Sequence, residues 1–156
     1  LYGPPGYAYV YLNYGIHSLV NVVTESADAP AAVLIRALDP LDGMSVMRRR
    51  RARSAKGRSR PRSSALSKDE ICRGPGNLTM AMGITLAQNR ADLCGDVLYI
   101  EAIEQEDAAS RRDALAWGPR IGISVGIERP WRVYLDGHPS VSGQKKVQSA
   151  KFKVEK

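Results

Sequence analysis

Histidine and cysteine are both scarce in this chain: His17, His138, Cys72 and Cys94 are the whole supply. Two cysteines at that separation make no disulfide framework, and no cysteine–histidine spacing suits a structural metal. Long apolar runs are missing too. None approaches the roughly 18 residues of a membrane-spanning helix, and the opening LYGPPGYAY lacks the basic-then-apolar order of a signal peptide. An initiator methionine is also absent. The chain starts at Leu1, which points to a processed product, an unusual start codon or a shortened chain. The scarcity of cysteine and histidine argues for a reducing compartment and against a bound metal, and the lack of a long apolar run argues against a membrane partner.

Acidic residues vanish from one window. Residues 48 to 62, RRRRARSAKGRSRPR, hold nine basic side chains and no acid, leaving fourteen basic against sixteen acidic residues elsewhere. The whole excess of the +7 net charge therefore sits in one segment. Such a block either draws polyanions and steers their approach or is a solvated loop whose charge keeps it soluble.

What is present is a chain of 156 residues, 44% hydrophobic, enough for one domain with one core. The stretch YVYLNYGIHSLVNVV reads as two strands joined at Gly15, and AAVLIRAL as a third, central strand. LDPLDGMSVMRRRR reads as a helix capped by Asp39 with Pro40 in its first turn, running into a basic loop over 48–66. Ser67 and Glu70 match a capping box. GPGNLTMAMGI opens a second helix ending near Gly83. DVLYIEAI, PRIGISVGI and WRVYLDGHPSVS read as strand-like, EQEDAASRRDA as a polar loop, and residues 144–156 as a basic tail. Strands, then helices, then strands imply an α+β domain over residues 1–143. It would have a curved, mainly antiparallel sheet, a protruding hairpin and surrounding helices.

Four features can carry chemistry. Tyr14 sits beside the hairpin's Gly15, either folded back over the strands or standing out as a wedge for a base stack. Asn21 interrupts the apolar LVNVV; it is either bonded to a loop backbone or placed at a pocket floor to select against one base. Arg36 ends an apolar strand, where a guanidinium needs an anion: Asp39 or Asp28 in a salt bridge, or a phosphate or a catalytic water with its carboxylate. RGPGN places two glycines and a proline before a helix, a backbone arrangement that suits anions but lacks the Gly-Lys-Ser/Thr ending of a P-loop.

In this order, GPPGYAYVYLNYGIHSLVNVV, AAVLIRALDPLDGM, CRGPGNLTMAMGI, PRIGIS and WRVYLDGHPSVSG resemble the alkyladenine (3-methyladenine) DNA glycosylase family, over residues 1 to about 143. The resemblance implies a monomeric, monofunctional enzyme of base excision repair. It would flip alkylated or deaminated purines, the 3-methyladenine and hypoxanthine class, out of double-stranded DNA and hydrolyse their N-glycosidic bond without a cofactor. It would be cytoplasmic and nucleoid-associated in a bacterium, or nuclear in a eukaryote. By the same resemblance, Tyr14 intercalates, Tyr11 and Asn21 line the base pocket, and His17 approaches the minor groove. Gly74, Gly76 and Asn77 lie near the DNA backbone, and Arg36 and the Ile121 carbonyl position the attacking water. From its charge rather than from the resemblance, the basic block adds Arg48, Arg49, Arg50 and Arg51 as phosphate contacts. The family's general base is a glutamate in a Glu-Ala-Tyr segment ahead of the PPG turn. No such tripeptide occurs here. This leaves open a catalytically inactive DNA-binding module of the same fold, and a basic protein whose arginine block binds RNA or other polyanions.

Overall fold

A computed structural model describes residues 2–54, 66–102 and 114–143. The order is β1 (Ala8–Asn13), β2 (His17–Val23), β3 (Ala32–Leu34), α1 (Met44–Ser54), α2 (Lys68–Ile71), α3 (Pro75–Met82), a 3-10 turn (Leu86–Gln88), β4 (Leu115–Gly118) and β5 (Arg132–Leu135). The first three strands form one sheet in the order β1-β2-β3, and β4 and β5 form a second; every pairing is antiparallel. The fold is α+β. None of the described helices is long and apolar enough to cross a membrane.

Side chains on a strand alternate between its faces. On one face Ala8 pairs with Val22 and Val10 with Val20, and these residues enter the core with Ile71, Cys72, Leu78, Ala81, Ile84 and Leu93. The helices α2 and α3 therefore cover that face. On the other face Tyr9 pairs with Asn21 and Tyr11 with Leu19. The Tyr9 and Tyr11 rings stack, with centroids 5.4 Å apart.

Local signals set α3. Pro75 occupies its first turn, and Gly83, in the left-handed region at φ 76°, closes it. The Gly83 N–H donates to the Met80 carbonyl, and the Ile84 N–H to the Thr79 carbonyl at 2.8 Å. The capping box of α2 forms as expected: Glu70 Oε2 accepts from the Ser67 N–H at 2.9 Å and its hydroxyl at 3.0 Å. Those bonds hold the Glu70 carboxyl below its usual range.

Several expectations need correction. β3 is an edge strand, not a central one: β2 bonds on both sides, and Val33 of β3 is largely exposed. α1 begins at Met44, not after Asp39, because Gly43 at φ 67° breaks any helix running back to Pro40. Asp39 instead meets Lys68 at 3.0 Å. Residues 96–102 form no strand. Val97, Tyr99 and Ile100 face outward, and the Ile100 N–H finds only the nearby Leu93 carbonyl; β-propensity without a neighbouring edge does not make a strand. Residues 119–127 are likewise a loop, joining the ends of β4 and β5. β4, LAWG, is a strand that the sequence pattern does not signal. The tail at 144–156 and all of the EQEDAASRRDA loop reading (104–114) except Ala114 lie outside the described residues.

The basic segment is the largest revision. Helix α1 runs through Ser54, so Arg48 to Arg53 are helical rather than loop, while 55–65 lie outside the described residues. Three of these arginines serve main-chain carbonyls. Arg48 Nε donates to Leu66 O at 3.1 Å. Arg50 Nη1 donates to Ala81 O and Met82 O at the end of α3. Arg51, itself buried, donates to Glu70 O and Ile71 O at the end of α2. Helix C-termini carry unpaired carbonyls and partial negative charge, which guanidinium forks satisfy. Replacing Arg51 with Met leaves those acceptors buried and unpaired, so the denaturant midpoint should drop by the equivalent of about 2–3 kcal/mol. Arg49→Gln, on an exposed side chain, should stay within about 0.5 kcal/mol of the parent. Equal losses for the two variants would refute the clamp.

Candidate functional site

The hairpin tip is a two-residue turn. Tyr14 (φ 50°) and Gly15 (φ 67°) are both left-handed, and the Ile16 N–H closes the turn on the Asn13 carbonyl at 3.1 Å. This geometry matches the twist of paired strands, and its first position usually takes Asn, Asp or Gly. A tyrosine there is strained by about 1 kcal/mol. The ring is 89% exposed, so it is not folded back over the strands. Leu12 and Ile16, exposed beside it, add apolar surface that the sequence reading overlooked, although both flank the same turn.

Below the tip, Tyr11 and Asn21 share the sheet face opposite the core. Asn21 is buried, and its Nδ2 donates to the Tyr9 carbonyl across the strand pair at 3.1 Å. One amide hydrogen is thereby spent on fixing the side chain, and among the described residues the amide makes no second hydrogen bond.

His17 lies against the start of α3. A Cβ added to Gly76 would come within 3.1 Å of the His17 ring, so glycine at 76 is what lets the imidazole sit there. Thr79 ties the same elements together, its hydroxyl 2.6 Å from the Ser18 carbonyl. The helical ladder begins with Leu78 N–H donating to Gly74 O, so the N–H groups of Gly76 and Asn77 precede it. The Asn77 amide donates to the Arg73 carbonyl at 2.7 Å and fixes the turn. Tyr14, His17 and the GPGN turn are thus joined through one hairpin–helix contact. The arginine run is elsewhere: Arg50 binds the far end of α3, about 12 Å along its axis.

Arg36 follows β3. It forms no ion pair with Asp39 or Asp28 among the described residues, and its Nε is buried without a hydrogen-bond partner there. Burial, and then the charge of Arg132, lower its pKa. Arg132, which the sequence reading did not single out, lies over the Tyr134 ring at 4.4 Å and donates to Ser142 O. Ile121 stands in the loop after β4, its side chain pressed against Gly143.

If the exposed ring has no structural role, removing it relieves strain. Tyr14→Asn should hold or raise the unfolding free energy, by up to about 1 kcal/mol. A clear loss of stability in chemical denaturation would show that the ring packs on the protein instead.

The model of the methylpurine-DNA glycosylase family matches residues 1–139. A Bacillus cereus (strain B4264) protein is 38% identical over 145 residues, covering 91% of this chain and 68% of its own length. A Bacillus thuringiensis (strain Al Hakam) protein is 37% identical over the same span and coverage. Each carries the name "Putative 3-methyladenine DNA glycosylase". An outward tyrosine on a tight hairpin, a buried asparagine on the adjoining sheet face and this breadth of match lead to one assignment: the chain belongs to the methylpurine-DNA glycosylase family.

Proposed function

We propose that the protein recognises and removes alkylated or deaminated purines, of the 3-methyladenine and hypoxanthine class, from double-stranded DNA. The observation that carries this reading is Tyr14, an exposed ring on a turn too short to bend away. Inserted between base pairs, it fills the gap left by an extruded nucleotide and offsets part of the few kcal/mol that extrusion costs. The displaced purine stacks near Tyr11 and meets the Asn21 amide, which is held too firmly by Tyr9 to turn away from guanine's exocyclic amino group. His17 and the N–H groups of Gly76 and Asn77 face the backbone beside the wedge.

In the reaction, water oxygen bonds to C1′ while the C1′–N bond breaks. The bonding pair leaves with the base, and the water gives up a proton. Positive charge grows on the sugar as this happens. Arg36 and the Ile121 carbonyl hold the water. A carboxylate that takes the proton contributes about 10² to 10⁴ in rate. Among the described residues no carboxylate forms an ion pair with Arg36, and that observation favours a second reading: lesion binding without base release.

A single-turnover assay of this polypeptide on duplexes carrying hypoxanthine or an alkylated adenine separates the two. Base release supports the enzyme. Lesion-selective binding with no release supports the binding module. In either case Tyr14→Ser should cut the preference for damaged over intact duplex about tenfold, from a stacking contribution of ~1–3 kcal/mol. A variant that keeps its full preference removes the wedge from the account.

Affinity for all duplexes should come from different residues. With Arg48, Arg50 and Arg51 engaged on carbonyls, the outward cations of α1 are Arg49 and Arg53. Arg49→Gln with Arg53→Gln should weaken damaged and intact DNA alike. It should also flatten the plot of log affinity against log salt by about 0.9 per lost phosphate contact. An unchanged slope would mean that α1 does not face the duplex.

A further inference from the structure

The loop joining Gly118 to Arg132 is long, lacks regular structure and contains Ile121. Loops of roughly 12–15 residues without secondary structure are uncommon in compact domains unless they serve a function. This one is folded around a single side chain. Arg120 Nη2 donates to the Val125 carbonyl at 3.2 Å and the Gly126 carbonyl at 3.5 Å, farther along the same loop. Its guanidinium lies over the Trp131 ring, 5.3 Å from the centroid, and Arg129 lies over the same ring at 4.5 Å. Gly126, at φ +70°, leaves room for the fork, since a Cβ there would come within 2.8 Å of Arg120 Nη2.

Part of this arginine is buried at a cost. Its Nε is buried without a partner among the described residues, a state that an apolar side chain would avoid. What the guanidinium provides is a fixed distance between the start and the end of the loop. Ile121 is the next residue. Its Cδ1 reaches Gly143 so closely that a Cβ there would stand 2.6 Å away, and Gly122 follows in the left-handed region at φ +79°. The peptide carrying the Ile121 carbonyl is therefore restrained before it by Arg120, beside it by Gly143, and after it by Gly122.

We infer that Arg120, seated on Trp131, is a positioning residue that sets the direction of the Ile121 carbonyl. This rests on the reading of that carbonyl as a contact of the attacking water. The arginine acts through the peptide and touches neither water nor base. Its planar guanidinium, rather than its charge alone, is the working part: Nη2 reaches both carbonyls while the group sits over the indole, and a lysine ammonium, which has donors enough for the carbonyls, has no plane to lay on the ring.

Ile-Gly occurs once in the sequence, at Ile121–Gly122. Protein labelled with 13C at isoleucine carbonyls and 15N at glycine therefore shows a single carbonyl–amide correlation, from this peptide alone. Arg120→Met and Arg120→Lys should both shift or broaden it, and Trp131→Leu, a milder change that leaves the carbonyl bonds in place, should do so in the same direction. With a duplex carrying hypoxanthine, Arg120→Met should bind as tightly as the parent while its single-turnover release falls by about tenfold to a hundredfold. A correlation in Arg120→Met or Trp131→Leu that coincides with the parent's overturns the inference. Equal losses of binding and release would do the same, since they point to general damage rather than positioning. A parent protein that releases no base counts against the glycosylase reading, and the position of the correlation in the free variants still decides what Arg120 does.

Discussion

Because side chains on a strand alternate, the pairing of Val10 with Val20 decides at once which side chains meet the helices and which lie on the opposite face with Tyr11 and Asn21. A slip of one residue would send Ala8 and Val10 outward and turn Tyr11 into the core. Two independent features prevent the slip. The buried pairs on one face fit only this register, and the two-residue turn at Tyr14 and Gly15 admits no slack. The exposed ring of Tyr14, the face carrying Tyr11 and Asn21, and the core are therefore set by one strand pairing. β2 carries most of the burden, being bonded on both sides and tied by the Thr79 hydroxyl to α3. His17 on Gly76 then passes that geometry to the α3 N-terminus. The angle between the exposed ring and the helix start follows from packing, with no flexible element between them.

The arginines illustrate how little net charge says about role. As a run in the sequence, Arg48 to Arg51 look like a polyanion contact. On α1 they project in different directions, and Arg50 and Arg51 fall at the ends of α3 and α2, where carbonyls lack intrahelical partners. Aliphatic capping residues could not satisfy those acceptors, and a short helix such as α2 has no length from which to draw cooperativity. Part of the positive charge is thus scaffold, and only the remainder is available to phosphates. A phosphate-binding role and a capping role were indistinguishable in the sequence because both need a guanidinium on a helix.

Legibility tracked locality. The hairpin, the Ser67–Glu70 capping box and the Pro75-to-Gly83 helix were all readable, since each depends on residues a few positions apart. β3 was readable as a strand but not as an edge, because its place depends on which neighbours β2 acquires. Residues 96–102 have strand-like composition, yet Val97 is 88% exposed; composition reports what a residue tolerates and not whether a partner edge is available. LAWG was passed over because four residues with a glycine give almost no periodic signal. Among site residues, Tyr14 was marked by its own turn and Asn21 by its apolar neighbours. Arg132 and Arg120 carried no such mark, since their importance comes from Tyr134, Trp131 and a loop that folds back on itself.

The same contrast explains why departures from local rules collect where they do. Tyr14 takes a backbone conformation that asparagine or glycine would take more easily. Arg36 and Arg120 each bury an Nε without a partner among the described residues, and Arg132 makes the charge on Arg36 harder to keep. None of this helps the free protein fold. Stability alone does not account for these groups, which points to a state in which they gain something. On the function proposed above, damaged DNA supplies such a state for two of them: a base stack for the ring of Tyr14, and the attacking water for Arg36. Interactions absent from the free protein add to binding without being spent beforehand, and a site left strained and under-paired gains more from a ligand than one already satisfied by its own chain.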